Sequence, residues 1–202
     1  MKRLNLINAI GEAVIPIAGL LFFDWGIYLI LLFYFIDLIA TEVFLYIKVN
    51  KIIQFQRIKF AFSLRYGRLL FSSFLALSTI VLAHIATCVI VPNINFYDEF
   101  IAFLSYEEMG FPVPQGYILL PLVILGNLQQ YKLTFIKTGI YKVVSWKNLI
   151  LSRRRALFIA LIGGVLSIII AYLFPMIPTF VYVLLIVGIK FYIDAYLTLD
   201  KL

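Results

Sequence analysis

The stretch GIYLILLFYFIDLIATEVFLYI, Gly26 to Ile47, decides the fold. As a helix it is long enough to cross a hydrocarbon core of about 30 Å, and its only charges are Asp37 and Glu42. Working outward, comparable windows run over Leu4–Phe23, Leu69–Val91, Gly116–Ile136, Ala156–Phe174 and Thr179–Leu199. Only Asp24 and Trp25 separate the first two windows, so these helices are expected to form an antiparallel hairpin. Pro175 and Pro178 bracket the last connection, where a missing N–H and a fixed φ favour a helix boundary. The expected fold is a single all-α domain over residues 1–202, a polytopic membrane bundle of six transmembrane helices.

Composition points the same way. Of the 202 residues, 64% are hydrophobic and 13% charged, and the mean hydropathy is +1.05. That leaves too few polar side chains to cover a soluble domain of this size. A disulfide scaffold, a disordered tail and an ordinary cytosolic enzyme are thereby excluded. The lone cysteine, Cys88, forbids an intrachain disulfide or a cysteine-only metal cage, and the lone histidine, His84, forbids a His-rich zinc site within one chain. Neither a metal nor a cofactor is expected.

A net charge of +7 would suggest nucleic acid in a soluble protein. Here the positions of the charges matter more than their sum. Lys2 and Arg3 precede the first window, six basic residues from Lys48 to Arg68 surround one loop, seven from Lys132 to Arg155 surround another, and Lys201 follows the last window. Every basic residue except Lys190 thus falls on one side, while the opposite loops carry Asp24, Asp98, Glu99, Glu107 and Glu108. Positive residues mark the cytoplasmic side, so the expectation is a multi-pass cell-membrane protein with both termini inside. Its partner there is the anionic head-group layer, not nucleic acid. Trp25 and Trp146 are expected at the outer and inner interfaces respectively. The first window reads as a retained helix rather than a cleaved signal peptide, because Glu12 interrupts its apolar stretch.

The loops carry patterns of their own. Residues 51–66 alternate apolar and basic side chains, and Tyr141–Leu151 does so around Trp146, which suits helices lying in the inner interface. Phe96, Tyr97, Phe100 and Phe103 recur at helical spacing before Pro112 and Pro114, as a surface helix or a re-entrant lid would.

Charge within the spans carries the functional reading. A charge at mid-bilayer costs at least about 2.5 to 3.5 kcal/mol, so it faces the bundle interior and finds a partner. Asp37 and Lys190 each lie eleven residues from the outer start of their windows, hence about 16 Å deep. They are expected to pair, joining the second and sixth spans. Glu12 reaches nearly the same level from the inside, and Asn5, Asn8 and Glu12 give the first helix an inward polar stripe. Two acids then share one base, so one acid is expected to hold a proton or a cation.

Glu42 and Asp194 form a second level about 23 Å from the outer edge, within reach of Arg65 or Arg68. Lys190 and Asp194 are also four residues apart, an alternative pair that would leave Asp37 unmatched. His84 and Cys88 are neighbours on one helix face. With no orienting group in sight they suggest packing or a hydrogen bond to Asn127, Gln129 or Gln130 rather than a nucleophile. The pair Gly163-Gly164 suits close helix approach. No Gly-x-Ser-x-Gly, His-Glu-x-x-His, Walker loop or Gly-x-Gly-x-x-Gly is present.

Some of these residues also carry a resemblance. Ile15–Trp25 followed by Tyr34-Phe35-Ile36-Asp37 resembles the opening hairpin of an uncharacterised family of bacterial and archaeal membrane proteins, a domain of unknown function with a Tyr-Trp-x-Glu pattern in its second helix. Phe35 and Asp37 stand here for the Trp and the Glu. Lys190-Phe191-Tyr192-Ile193-Asp194 is similar to that family's last helix, and Phe135–Tyr141 to its loop after the fourth. Asn127 stands where a His is usual. The resemblance implies six helices and the same charged positions, with no activity attached. Two functions follow from the residues: a binding or transport module for a small solute, proton or cation that uses Glu12, Asp37, Glu42, Asp194 and Lys190, or a non-catalytic membrane subunit whose charges hold helices together or dock a membrane partner or second copy.

Overall fold

The computed structural model describes residues 2–23, 25–58, 62–105 and 115–197. They form an all-helical bundle: α1 (Lys2–Phe22), α2 (Ile27–Gln56), α3 (Phe62–Ile90), α4 (Phe96–Ser105), α5 (Gln115–Gln130), α6 (Trp146–Leu173) and α7 (Thr179–Tyr192). α5 runs on into a π-helical stretch over Tyr131–Ile136, and α7 into another over Ile193–Leu197. Four of the described helical stretches are long and apolar enough to cross a membrane: Ile27–Gln56, Tyr66–Ile90, Trp146–Leu173 and Thr179–Leu197.

α2 is the central post. Every residue from Ile27 to Phe35 is buried, all the way round the helix. A helix apolar on every side belongs in the middle of a bundle, and the other six α-helices all pack on α2. The surrounding helices turn apolar stripes outward instead. α3 exposes Leu70, Phe74, Leu77, Val81 and Ile85, and α6 exposes Phe158, Ile162, Leu166, Ile169 and Leu173. Spacings of three and four residues make each stripe one continuous face, as lipid contact requires.

α3 and α6 form the most extensive pair in the bundle, and neighbouring glycines of α6 permit its close approach to α3 and to α7. A Cβ on Gly164 would stand 2.8 Å from Leu82 of α3, and one on Gly163 would collide with Ile189 of α7. The short link between α1 and α2 folds Trp25 back over Gly19. Trp25 is therefore buried, not an exposed interfacial anchor. Trp146 is buried as well, under the guanidinium of Arg68 at 5.4 Å.

Two boundaries depart from the sequence reading. Residues 51–56 form no separate surface helix: α2 carries straight through them and stops where Arg57 adopts a left-handed conformation. Likewise α6 begins at Trp146, ten residues before the apolar window, after a 3-10 turn over Ile140–Lys142. Packing is the reason. Val49, Ile52, Leu69, Phe135, Leu149 and Ile150 bury one another in a second core at this end, so the helix extensions gain more by meeting than by lying apart. α4 is a short amphipathic helix that turns Phe96 and Phe103 onto α2 while Tyr97, Phe100 and Ile101 stay exposed. Pro112 and Pro114 lie outside the described residues.

Candidate functional site

Lys190 enters the bundle on α7 and meets carboxylates from three helices. Its Nζ lies 2.9 Å from Oδ2 of Asp37 on α2 and 2.9 Å from Oε2 of Glu12 on α1, and it also bonds Asp194 one turn further along its own helix. The expected Asp37–Lys190 pair is thus present. The alternative pairing with Asp194 does not compete with it, because three ammonium protons allow three acceptors. The π-helical stretch begins at Ile193, directly beside these two residues. Such widened turns recur at functional sites.

The three acids are not equivalent. The Asp37 side chain is 11% exposed and that of Asp194 19%, whereas that of Glu12 is 41% exposed. Asp37 has a further partner: Asn127 of α5 donates an amide hydrogen to its Oδ1 across 2.9 Å. Thr41, one turn along α2 from Asp37, donates its hydroxyl to Asn127 Oδ1 at 3.2 Å. With three carboxylates around one ammonium, the cluster is formally acidic.

A second charged layer begins one turn beyond, at Glu42. Its Oε2 lies 3.2 Å from Arg153 Nε, and its Oε1 accepts the Ser73 hydroxyl at 3.2 Å. Arg153 also donates to the backbone oxygen of Leu38 at 3.1 Å. Among the described residues the partner of Glu42 is therefore Arg153 and not Arg68. Arg68 covers Trp146, and the side chain of Arg65 lies outside the described residues. Arg153 is counted from the sequence among loop charges because the apolar window starts at Ala156. Ser145, a residue type that favours helix starts, is the signal that would have extended α6 backward and brought Arg153 inside.

The two layers are joined by a cavity of about 110 Å³, lined by Glu12, Asp37, Thr41, Lys48, Arg153 and Lys190 among others. A larger crevice of about 460 Å³ reaches Glu12 and Asp37 from between α1 and α5. Both expose the cluster to something other than protein. Tyr34, one turn before Asp37, has a buried hydroxyl with no hydrogen-bond partner among the described residues.

His84 stands apart from this cluster. Its Nδ1 donates to the Ile80 carbonyl at 2.8 Å, so in the neutral ring Nε2 accepts from the hydroxyl of Tyr28 at 2.9 Å. Its partner is on α2, not among Asn127, Gln129 and Gln130. Phe35 stacks on the ring at 5.2 Å, and Cys88 is exposed. The side chains of Asn5 and Asn8 are not among those described. The chain matches no family model, no curated protein and no solved structure, which leaves the geometry to carry the functional reading.

Proposed function

We propose that this protein is a multi-pass cell-membrane module that binds and moves a proton or cation, with the Lys190 cluster as its site. The observation that carries the reading is acid beside open volume: Glu12, Asp37 and Asp194 surround one ammonium, and all three line the 110 Å³ cavity together with Lys190, while Arg153 in the same lining is answered by Glu42. A cluster serving only to lock helices would gain most by being dry and balanced in charge, since an unmatched buried charge is destabilising. An excess carboxylate is instead a place where a cation is stabilised by charge.

In this reading α1, α2, α3, α5, α6 and α7 cross the bilayer and both termini are cytoplasmic. The basic ends of α2 and α6 then meet the anionic inner leaflet, and α4 lies at the outer end. The alternative, a non-catalytic subunit, uses the same charges as fasteners and moves nothing. Proteoliposomes separate the two. With a trapped pH dye and imposed proton, sodium or potassium gradients, the wild-type chain is expected to dissipate at least one gradient, and Asp37→Asn to slow that at least tenfold. Absence of flux under all three gradients, together with no Asp37-dependent uptake of an organic cation, overturns the transport reading in favour of the subunit.

A further inference from the structure

We propose that the cation is organic and amphiphilic, an ammonium or phosphonium carrying apolar substituents, and that it enters from the bilayer through the crevice between α1 and α5. This rests on the acidic cluster being a cation site, and it names the class of cation. α1 and α5 both pack on α2 but scarcely on each other, and the space left between them is about 460 Å³, far larger than the 110 Å³ cavity.

The walls of the crevice and its floor differ in chemistry. Ile15, Phe33, Leu122 and Leu133 supply apolar surface, and Leu122 and Leu133 are themselves exposed on the outside of the bundle, so the wall continues into the lipid-facing surface. At the floor stand Asp37 and Glu12, and Glu12 is the most open of the acids around Lys190. Tyr34 also lines the crevice, with its unpartnered hydroxyl, and Asn127 and Gln130 add amides. A small inorganic cation needs oxygen ligands on all sides and gains nothing from apolar walls. An anion meets the wrong charge, because Lys190 is already held by three carboxylates. A cation with apolar arms matches both parts: its charge faces Glu12 and Asp37 while its substituents leave water for the walls.

Two glycines line this space. A Cβ added to Gly11 of α1 or Gly126 of α5 would meet nothing within 4 Å, and both residues line the crevice. Neither glycine is therefore required for helix packing in this bundle. A large side chain at either position would project into the volume the ligand needs.

The test is equilibrium binding of radiolabelled tetraphenylphosphonium to the purified full chain in detergent. The wild type is expected to bind saturably at about one per chain, Glu12→Gln to weaken binding at least tenfold, and Gly126→Phe to do the same while unfolding at the wild-type temperature. Gly11→Leu fills the crevice from the opposite wall and is expected to repeat the loss, which covers the case in which Gly126→Phe fails to fold. Binding no greater than to empty micelles overturns the inference. Asp37-dependent flux of protons or inorganic cations in proteoliposomes would then show that the acidic cluster still works on a smaller cation. Saturable binding that survives both folded crevice-filling variants overturns the route, since the probe then sits elsewhere.

Discussion

Asn127 uses both of its amide hydrogens, one on the carboxylate of Asp37 at 2.9 Å and one on the Val123 carbonyl at 3.1 Å, while its oxygen accepts from Thr41. Its orientation is therefore fixed, with the donor end toward the acid. The fit is specific to an amide, because a carboxylate of the same shape would face Asp37 with a second negative oxygen. Asn127→Ala is expected to lower stability by about 1.5 to 3 kcal/mol, the usual range for a hydrogen bond to a charged group. Asn127→Asp is expected to lower it further. Unfolding in mixed micelles, followed by far-UV circular dichroism, ranks the two. An aspartate variant as stable as the wild type would contradict the assigned donor.

How the charged layers were legible in the sequence differs from one residue to the next. Depth could be counted: Asp37 and Lys190 fall at one level because each lies eleven residues from its window's start, and they meet. Position around the helix axis could not be counted, since it depends on which helices are neighbours. Asn127 therefore reads from sequence as a partner for His84, whereas the fold turns it to Asp37 and gives Tyr28 to His84. Helix ends were hidden for a third reason. Hydropathy marks where a chain must be in lipid, not where its hydrogen-bonded backbone stops, and the second core around Val49 and Leu149 extends α2 and α6 past the apolar windows. Arg153 lies in one of those extensions.

Arg153 and Glu42 are 15% and 10% exposed at their side chains, so each is the other's main compensation. Removing either one leaves a nearly buried charge, at a loss of about 3 to 5 kcal/mol. Arg153→Met with Glu42→Gln together removes both charges and is expected to cost clearly less than the sum of the singles. Arg68→Ala, which loses the stacking on Trp146, is expected to cost about 0.5 to 1 kcal/mol. A double-mutant cycle on chemical unfolding in micelles measures the coupling. An additive result, or an Arg68 effect as large as that of Arg153, would reassign the partner of Glu42.

Three glycines in α6 and α7 make opposite predictions. At Gly164 a Cβ would press on the Leu82 side chain at 2.8 Å and 3.1 Å, so Gly164→Ala is expected to lower stability by about 1 to 3 kcal/mol through overpacking between α6 and α3. Gly163→Ala meets only the flexible tip of Ile189 at close range, which can turn aside, and is expected to cost less. Gly188 has nothing within 4 Å of its Cβ, and alanine there gains helix propensity. Gly188→Ala is therefore expected to raise the unfolding midpoint slightly. A series in which all three alanines behave alike would mean that these helices are not packed through Gly164.

The proposed threading can be read from accessibility to a membrane-impermeant maleimide. Tyr97, Met176 and Val143 are strongly exposed, at 70%, 95% and 87%, so cysteine at any of them should react wherever the reagent reaches. Tyr97 is on α4 beside Asp98 and Glu99, and Met176 lies between α6 and α7. Both belong to the side that lacks Lys and Arg, whereas Val143 follows Lys137 and Lys142. In a Cys88→Ser background, Tyr97→Cys and Met176→Cys are expected to label in intact cells, and Val143→Cys only after permeabilisation. Labelling of Val143→Cys from outside would invert the orientation. Labelling of Tyr97→Cys and Met176→Cys from opposite sides would change the number of crossings between them, since α5 and α6 must both traverse the bilayer to bring the chain back to the same face.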